Sequence, residues 1–444
     1  MTLVSGWGRF PVVDTDLVRP RSFPAVGEAF AGASGVARGN GRAYGDAGIG
    51  LARTVDMTAF DRVRSFDPDT GRIRLEAGML LSDIIDTFGP RGFLPFVVPG
   101  TRFVTVGGAI AADVHGKNHH CEGGFGRYVD GILLRTGQGE TIELSRDENA
   151  DVFRATVGGM GLTGVILEAT MRLRRVETGW IRERVIPAAN LRDAVTALDG
   201  GDSSTYSVAW IDCVATGENL GRSLIYLGEH ARADELPADA APFSRGRDPR
   251  LSVPVDLPSL TLNRYSVRAF NELYYRMGAR RAGGSHLVSI FPYFFPLDGV
   301  GAWNRIYGRR GFLQHQCVIP QTGAREVLGE ILERIARRGD ASFLAVLKKL
   351  GEGDGLMSFP LPGYTLALDF PMTPSILPFL DELDRLVVAA GGRLYLAKDA
   401  RQSRATFEAG YPALQRFNGI RRSLDPDGKI RSRLSQRLLD EVRP

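Results

Sequence analysis

Three stretches poor in side chains, each set against a β-rich run, constrain this chain of 444 residues more than any other feature. The first is Arg38-Gly39-Asn40-Gly41-Arg42-Ala43-Tyr44-Gly45-Asp46, directly after Gly35-Val36-Ala37. The second joins Pro99-Gly100-Thr101 to Thr105-Val106-Gly107-Gly108-Ala109-Ile110-Ala111, and the third is Gly158-Gly159-Met160-Gly161-Leu162-Thr163-Gly164-Val165. Glycine lets backbone come close to a ligand and lets successive N–H groups turn toward one centre. One such loop is an ordinary turn, and tight sheet packing is the bland explanation for several. Three of them within one small α+β unit point to a long dinucleotide threaded between layers. A Rossmann fingerprint does not fit the first loop, because Tyr44 stands where the third glycine would open a helix and another loop follows.

The rest of the chain narrows the class. Its length suits two or three packed units, and 43% hydrophobic residues exclude disorder of the whole. Basic and acidic residues nearly balance, 55 against 51, and no basic run is interleaved with aromatics, which argues against a nucleic-acid groove. Cys121, Cys213 and Cys317 are too few and odd in number for a disulfide framework. No secretory leader is visible after Met1 and no stretch has the apolar length of a membrane span, so a cytoplasmic protein, or one peripheral at the plasma membrane, is expected.

The rhythm of the chain divides it into residues 1–176, 177–395 and 396–444. In the first part short strands dominate, with a helix over Leu80–Phe88 capped by Ser82, a hairpin around Gly137-Gln138-Gly139, and a long strand over Gly164–Leu173. In the second, Leu313–Ile319, Ala324–Arg338, Ser342–Leu350, Tyr364–Phe370, Ser375–Ala390 and Arg393–Ala397 read as β-α-β-β-α-β, the ferredoxin-like order of an antiparallel sheet. Tyr206–Asp212 and Arg222–Leu227 extend that sheet. Residues 231–262 read as a long mobile loop whose apolar part, Leu251–Pro258, packs as a lid on its own domain in preference to facing lipid. The last segment returns to the first part.

Asp113-Val114-His115-Gly116-Lys117-Asn118-His119-His120 holds three of the six histidines and one of only five lysines. Adjacent histidines diverge on a regular backbone, so a cationic rim beside a redox centre is the better reading than a metal site. Together with the glycine stretches and Leu424-Asp425-Pro426-Asp427-Gly428, this segment resembles the PCMH-type FAD-binding domain of the vanillyl-alcohol-oxidase family. Gly6-Trp7-Gly8-Arg9, Phe312-Leu313-Gln314-His315-Gln316 and Leu394-Tyr395-Leu396-Ala397-Lys398-Asp399 resemble the branch of that family that oxidises decaprenylphosphoryl-β-D-ribose.

The resemblance implies an α+β two-domain flavoprotein: a PCMH-type domain holding FAD, and a substrate domain on the antiparallel sheet. It implies oxidation of a secondary sugar hydroxyl, C2 of the ribose of a polyprenyl-phosphate sugar, to a ketone as the first half of an epimerisation completed by a short-chain dehydrogenase/reductase partner. Oxygen or a quinone would take the electrons. The implied cofactor-binding residues are the Arg38–Asp46 loop, Gly100, Thr101, Thr105, Val106, Gly107, Gly108, Ala109, His115, Gly116, Asn118, Gly161, Leu162, Gly164, Val165, Tyr395 and Lys398. The substrate would meet Tyr44, Lys117, Trp210, Tyr307, Gln314, Gln316, Thr365, Ala367 and Lys398, with catalysis shared among Lys398, His115 and Lys117. Relatives with covalent flavin carry histidine in the first loop where Arg42 stands, so non-covalent FAD is expected. Relatives of the matching branch also carry a cysteine at the position of Ala367 and an asparagine at that of Thr365, which puts the identity of the sugar in question. A sugar-lactone or alditol oxidase acting on a soluble substrate, or a flavin-binding protein without catalysis, are the other readings.

Overall fold

The strand Val165–Arg175 organises the first half of the molecule. Its leading residues, Val165 to Ala169, are all buried, as expected of a strand covered on both faces, and its later residues alternate between inside and outside. It pairs antiparallel with Arg72–Glu76, Val129–Arg135 and Phe93–Pro95. The structure is a computed structural model describing residues 2–244, 251–258, 263–339 and 345–440. Val63–Asp67 and Thr141–Ser145 complete this sheet. A second, four-stranded sheet has the order Thr2–Ser5, Val12–Val18, Arg53–Asp56, Gly35–Arg38, and its last two pairings are parallel. The two sheets place the ends of Gly35–Arg38 and the start of Val165–Arg175 near the short helix Val106–Ala111. The Thr105 hydroxyl caps that helix by accepting from the Gly108 N–H at 3.2 Å. The second glycine stretch is thus a helix start rather than a loop.

An antiparallel eight-stranded sheet forms the second half, in the order Ser285–Ser289, Trp180–Ala188, Ser223–His230, Tyr206–Ile211, Ala345–Leu350, Gly363–Pro371, Phe312–Pro320, Arg393–Leu394. Period-two alternation sorts its side chains. Ala209, Ile211, Leu347, Leu366, Leu368, Cys317 and Ile319 face the helices Leu191–Asp199, Ala324–Arg338 and Ile376–Ala389 in one apolar cluster. The alternate positions, among them Trp210, Lys348, Ala367, Gln314 and Gln316, are left for the opposite face. A one-residue slip of register would bury Lys348 against the helices and turn Leu347 to the cavity.

Several local expectations are corrected. Ser82 is not a cap: the helix spans Leu81–Phe88, and the N–H groups of Leu81 and Ser82 already donate to the carbonyls of Val104 and Arg102 at 3.0 and 2.9 Å. With those donors satisfied by neighbouring chain, no side-chain cap is needed. The expected strand over Arg393–Ala397 ends at Leu394, because the chain then turns away from the sheet edge, Lys398 N–H donating to the Tyr395 carbonyl at 3.0 Å. The Leu251–Pro258 segment packs as a lid only in part: Val253 and Leu257 are half-buried, whereas Leu251 and Val255 face outward. Its backbone is held by a two-residue pairing with Val300–Gly301 and by the Arg9–Asp256 ion pair at 2.5 Å. Residues 245–250 and 259–262 of the expected loop, and 342–344 of the expected strand, lie outside the described residues.

The chain end closes on the first glycine loop. Gly35 N–H donates to the Lys429 carbonyl at 2.8 Å, Arg431 N–H to the Gly35 carbonyl at 2.7 Å, and the Arg437 guanidinium pairs with Asp46 at 3.0 Å and Asp399 at 2.9 Å.

Candidate active site

Between the two halves lies a cavity of about 720 Å³, the size of a small-molecule or cofactor site. One wall is rich in glycine. Gly39 leaves no room for a side chain: a Cβ there would stand 2.1 Å from the Thr105 hydroxyl. Gly45 is as constrained, since a Cβ would meet the Asp399 carbonyl at 1.9 Å. Asn40, Gly41, Arg42, Ala43 and Tyr44 continue the wall, as do Arg38, Gly100, Thr101, Thr105, Gly107, Gly108, Gly161 and Gly164. Arg42 lies over the Trp7 ring at 4.0 Å, and its Nε is buried without a hydrogen-bond partner.

Not every residue of the matching motifs faces this cavity. Asp46 is turned away into its ion pair with Arg437, where it fastens the chain end. Asn118 donates to the Phe96 carbonyl and Glu122, which shapes the backbone beside Lys117. Val106, Ala109, Leu162 and Val165 are buried in the hydrophobic clusters behind the wall. Tyr307 stacks on Phe312 at 4.4 Å and reaches Asp369, while Thr365 accepts from Gln316 at 3.2 Å; both sit one layer behind the lining.

The opposite wall is the free face of the eight-stranded sheet. Gln316 pairs directly across from Ala367, and its amide nitrogen lies 2.9 Å from His115 Nε2. With Gln316 as the donor, that ring is neutral with its proton on Nδ1, which is buried without a partner. Burial, reinforced by Lys348, His119 and Lys398, holds the His115 pKa well below the usual histidine value. Gln314 donates to Asp369 at 2.6 Å. Tyr395, whose hydroxyl donates to the Ala112 carbonyl at 3.0 Å, stacks on Phe359 and stands beside His115. Histidines 119 and 120 point elsewhere: His119 Nδ1 accepts from Gly351 N–H, and His120 contacts the Ser204 carbonyl. Among the described residues no three His, Cys, Asp or Glu side chains are grouped to hold a metal.

Three amines share the cavity. Lys398 comes from the turn after Leu394, with Nζ 3.4 Å from the centre of the Tyr44 ring. Lys117 donates to the Tyr293 carbonyl and lies 4.1 Å over that ring. Lys348 comes from Ala345–Leu350. Burial strips water from each and disfavours the charged form. Lys117 is lowered to about 7 and Lys348 to about 8. Lys398 is lowered too, with Asp369 opposing the shift, and burial raises the Asp369 carboxyl in turn. Lys348, Asp369 and the aromatic outer wall of Tyr226, Phe270 and Tyr274 are absent from the sequence-based assignment. Lys348 carried a signal nonetheless, because its alternation with Leu347 sets it on the face away from the helices.

These features fit a bound FAD. A wall opened by glycines suits a diphosphate and ring at close range, and two buried polar atoms, His115 Nδ1 and Arg42 Nε, remain to be satisfied. Comparison with known proteins agrees. Residues 28–145 match the FAD binding domain family, and residues 366–438 match the D-arabinono-1,4-lactone oxidase family. The chain is 40% identical over 410 residues to decaprenylphosphoryl-β-D-ribose oxidase of Mycolicibacterium smegmatis, covering 91% of this chain and 88% of that one. It is 36% identical to an uncharacterized protein of Streptomyces coelicolor, over 79% of this chain and 96% of the other. L-gulonolactone oxidase of Bos taurus is 26% identical, over 84% and 82%.

Proposed function

The chain belongs to the FAD-dependent family of decaprenylphosphoryl-β-D-ribose oxidase, and from that premise we propose that it oxidises the C2 hydroxyl of a polyprenyl-phosphate ribose, or of a close relative, to a ketone. FAD, when bound, supplies the hydride acceptor. The chain's own residues do the rest. Gln316, fixed between His115 and Thr365, and Gln314, fixed by Asp369, offer oriented amides to sugar hydroxyls. Lys398, an amine whose protonated form is disfavoured by burial, is the group we assign to take the hydroxyl proton. His115 is less suited to that task, since Gln316 already occupies its acceptor nitrogen. Lys117 and Lys348 hold the phosphate, whose charge would in turn favour their ammonium forms. Trp210 and Tyr226 give the prenyl chain an apolar exit.

The observation that carries this reading is the meeting of three buried lysines, out of five in the chain, with a glycine-rich wall in one cavity. Anaerobic addition of polyprenyl-phosphoribose should bleach the yellow protein, whereas free ribose should not. A second reading, oxidation of a free sugar lactone, is favoured by the lactone-oxidase match over residues 366–438. Faster bleaching by such a lactone would establish it instead.

The finer assignments belong to the same proposal. The FAD is non-covalent, because Arg42 occupies the loop position of the linking histidine. Residues 1–176 with 396–444 form the cofactor half and 177–395 the substrate half. The βαββαβ run is ferredoxin-like, a reading supported by the strand order Ala345–Leu350, Gly363–Pro371, Phe312–Pro320, Arg393–Leu394. A short-chain reductase takes the keto product, and the protein meets its lipid substrate by peripheral membrane contact. Among the described residues no helix is long and apolar enough to cross a membrane.

A further inference from the structure

The helix Arg264–Ala279 carries more apolar surface than it buries, its side chains falling into an inward stripe and an outward one. Asn263 caps it, accepting from the N–H groups of Tyr265 and Ser266. Its inward side is anchored by buried Val267, by Asn271 donating to Asp212 at 2.7 Å, and by the Arg222–Glu272 ion pair at 2.7 Å. The other stripe is Phe270, Leu273, Tyr274 and Met277, spaced i, i+3, i+4, i+7 and therefore on one face. These side chains are 44, 60, 38 and 58% exposed. Four large apolar groups contiguous on one exposed helix face mark an interaction surface rather than ordinary scatter.

Two features identify what lies against it. The stripe is continuous with the active-site cavity: Phe270 and Tyr274 belong to both. Tyr274 is 4.8 Å from the Trp210 ring, and its hydroxyl accepts from Tyr226 at 3.1 Å, so an aromatic path runs from the sheet to the surface. The helix and the turn after it are also cationic: of exposed Arg264, Arg268, Arg276, Arg280 and Arg281, Arg276 pairs with Glu272 and Arg281 with Glu183, and Glu272 is the one acid of the segment. Arg276 and Arg280 fall beside the apolar stripe on the helical wheel. An apolar stripe bordered by arginine is the composition of a helix lying in an anionic bilayer interface.

We propose that the face of Arg264–Ala279 bearing Leu273 and Met277 docks on the surface of an anionic phospholipid bilayer, setting the cavity mouth at the depth of the acyl chains. The proposal deepens the polyprenyl-phosphate reading and rests on it for the passage of substrate, although lipid binding can be measured without substrate. The test is co-sedimentation of the FAD-loaded protein with phosphatidylglycerol–phosphatidylcholine vesicles and with phosphatidylcholine vesicles. Wild type should partition to the anionic vesicles, and Leu273→Asp with Met277→Asp should lower that partition at least tenfold. The double variant should keep its FAD and its turnover of a short-chain, water-soluble substrate analogue, while turnover of a long-chain substrate in vesicles falls. Arg280→Glu should give a smaller drop that high salt imitates. Wild type remaining in the supernatant, or a double variant that sediments like wild type, overturns the proposal. So does a dimer that the double variant splits with no change in vesicle binding, for a second copy would then be the occupant. Vesicle binding without flavin bleaching by any polyprenyl-phosphate sugar would leave the docking surface standing and refute the substrate reading.

Discussion

The two walls of the cavity do opposite things with their side chains. In residues 38–45 it is the glycines that leave no room, since a Cβ at Gly39 or Gly45 would collide with neighbouring chain, while Arg42 and Tyr44 lay their side chains against Trp7 and Lys398. The sheet face works by burying side chains that resist burial, with Lys348 held among Val346, Ala367 and Gln316 and its amine depressed to about 8. Steric fit governs the first wall and desolvated charge governs the second. Gly39 and Gly45 therefore tolerate no added side chain, and the sheet face gives up substrate contacts when it gives up polarity.

Five experiments sharpen or break this contrast. The largest effect is expected from Gly39→Val, whose branched side chain has no space beside Thr105. It should yield a folded but colourless protein, read by flavin absorbance after purification, with the melting of the substrate half little changed. A yellow Gly39→Val protein would refute the steric account of that wall. Next is Lys348→Met, which keeps length and removes charge. It should raise KM for a phosphorylated substrate about 10- to 100-fold, the worth of one charge-assisted contact of roughly 1.5–3 kcal/mol, and leave FAD content unchanged.

The same substitution should also act on stability, with a definite sign. An amine whose folded pKa lies below its unfolded value leaves the unfolded state binding more protons between the two, so stability rises with pH across that window. For Lys348 the window runs from about 8 up to the ordinary lysine value, and for Lys117 it begins near 7. Below it the folded protein carries the full penalty of a buried ammonium. Lys348→Met should therefore raise the melting temperature of FAD-free protein more at pH 6 than at pH 10. An equal gain at both would show that the amine is solvated in the folded state. The smallest effect concerns Ala367, directly opposite Gln316. With substrate present as the source of the two electrons that take a nitro-aromatic compound to its thiol-reactive nitroso stage, wild type should form no covalent adduct in intact mass spectrometry, and Ala367→Cys should gain one by addition of its thiol. Acid precipitation should release all the yellow colour from either form, consistent with Arg42 in place of a linking histidine.

The glycine wall was legible in the sequence because the absence of side chains is itself a residue-type signal. So were the long periodic elements: the helix Ala324–Arg338 has the bounds that apolar spacing implied. What escaped depended on direction in space. Asp46 and Asn118 sit in the matching motifs, but their side chains serve the chain end and the backbone next to Lys117. Adjacent Lys348 and Lys349 look equivalent in sequence, yet strand alternation sends Lys348 into the cavity and Lys349 to Asp199 and Asp202 at 2.9 and 2.6 Å. Ser82 read as a cap only because the carbonyls that satisfy the helix start, those of Arg102 and Val104, come from a segment the local pattern cannot place. The helix Arg264–Ala279 escaped because Val267 is the one large apolar side chain it buries while Phe270, Leu273 and Met277 lie outside, against the single-sided period expected of a helix packed on a core.

The central claim is that the glycine-rich wall holds the flavin while the buried Lys398 amine beside Tyr44 manages the substrate's proton. Anaerobic rapid mixing of wild type and Lys398→Ala with polyprenyl-phosphoribose, followed by flavin absorbance across pH, tests it most directly. The account predicts equal FAD content, a reduction rate that falls about 10²–10⁴-fold in the variant, and a wild-type rate that climbs with pH well below the ordinary lysine range. A Lys398→Ala protein that bleaches at the wild-type rate, or a wild-type limb at the ordinary lysine value, would contradict it.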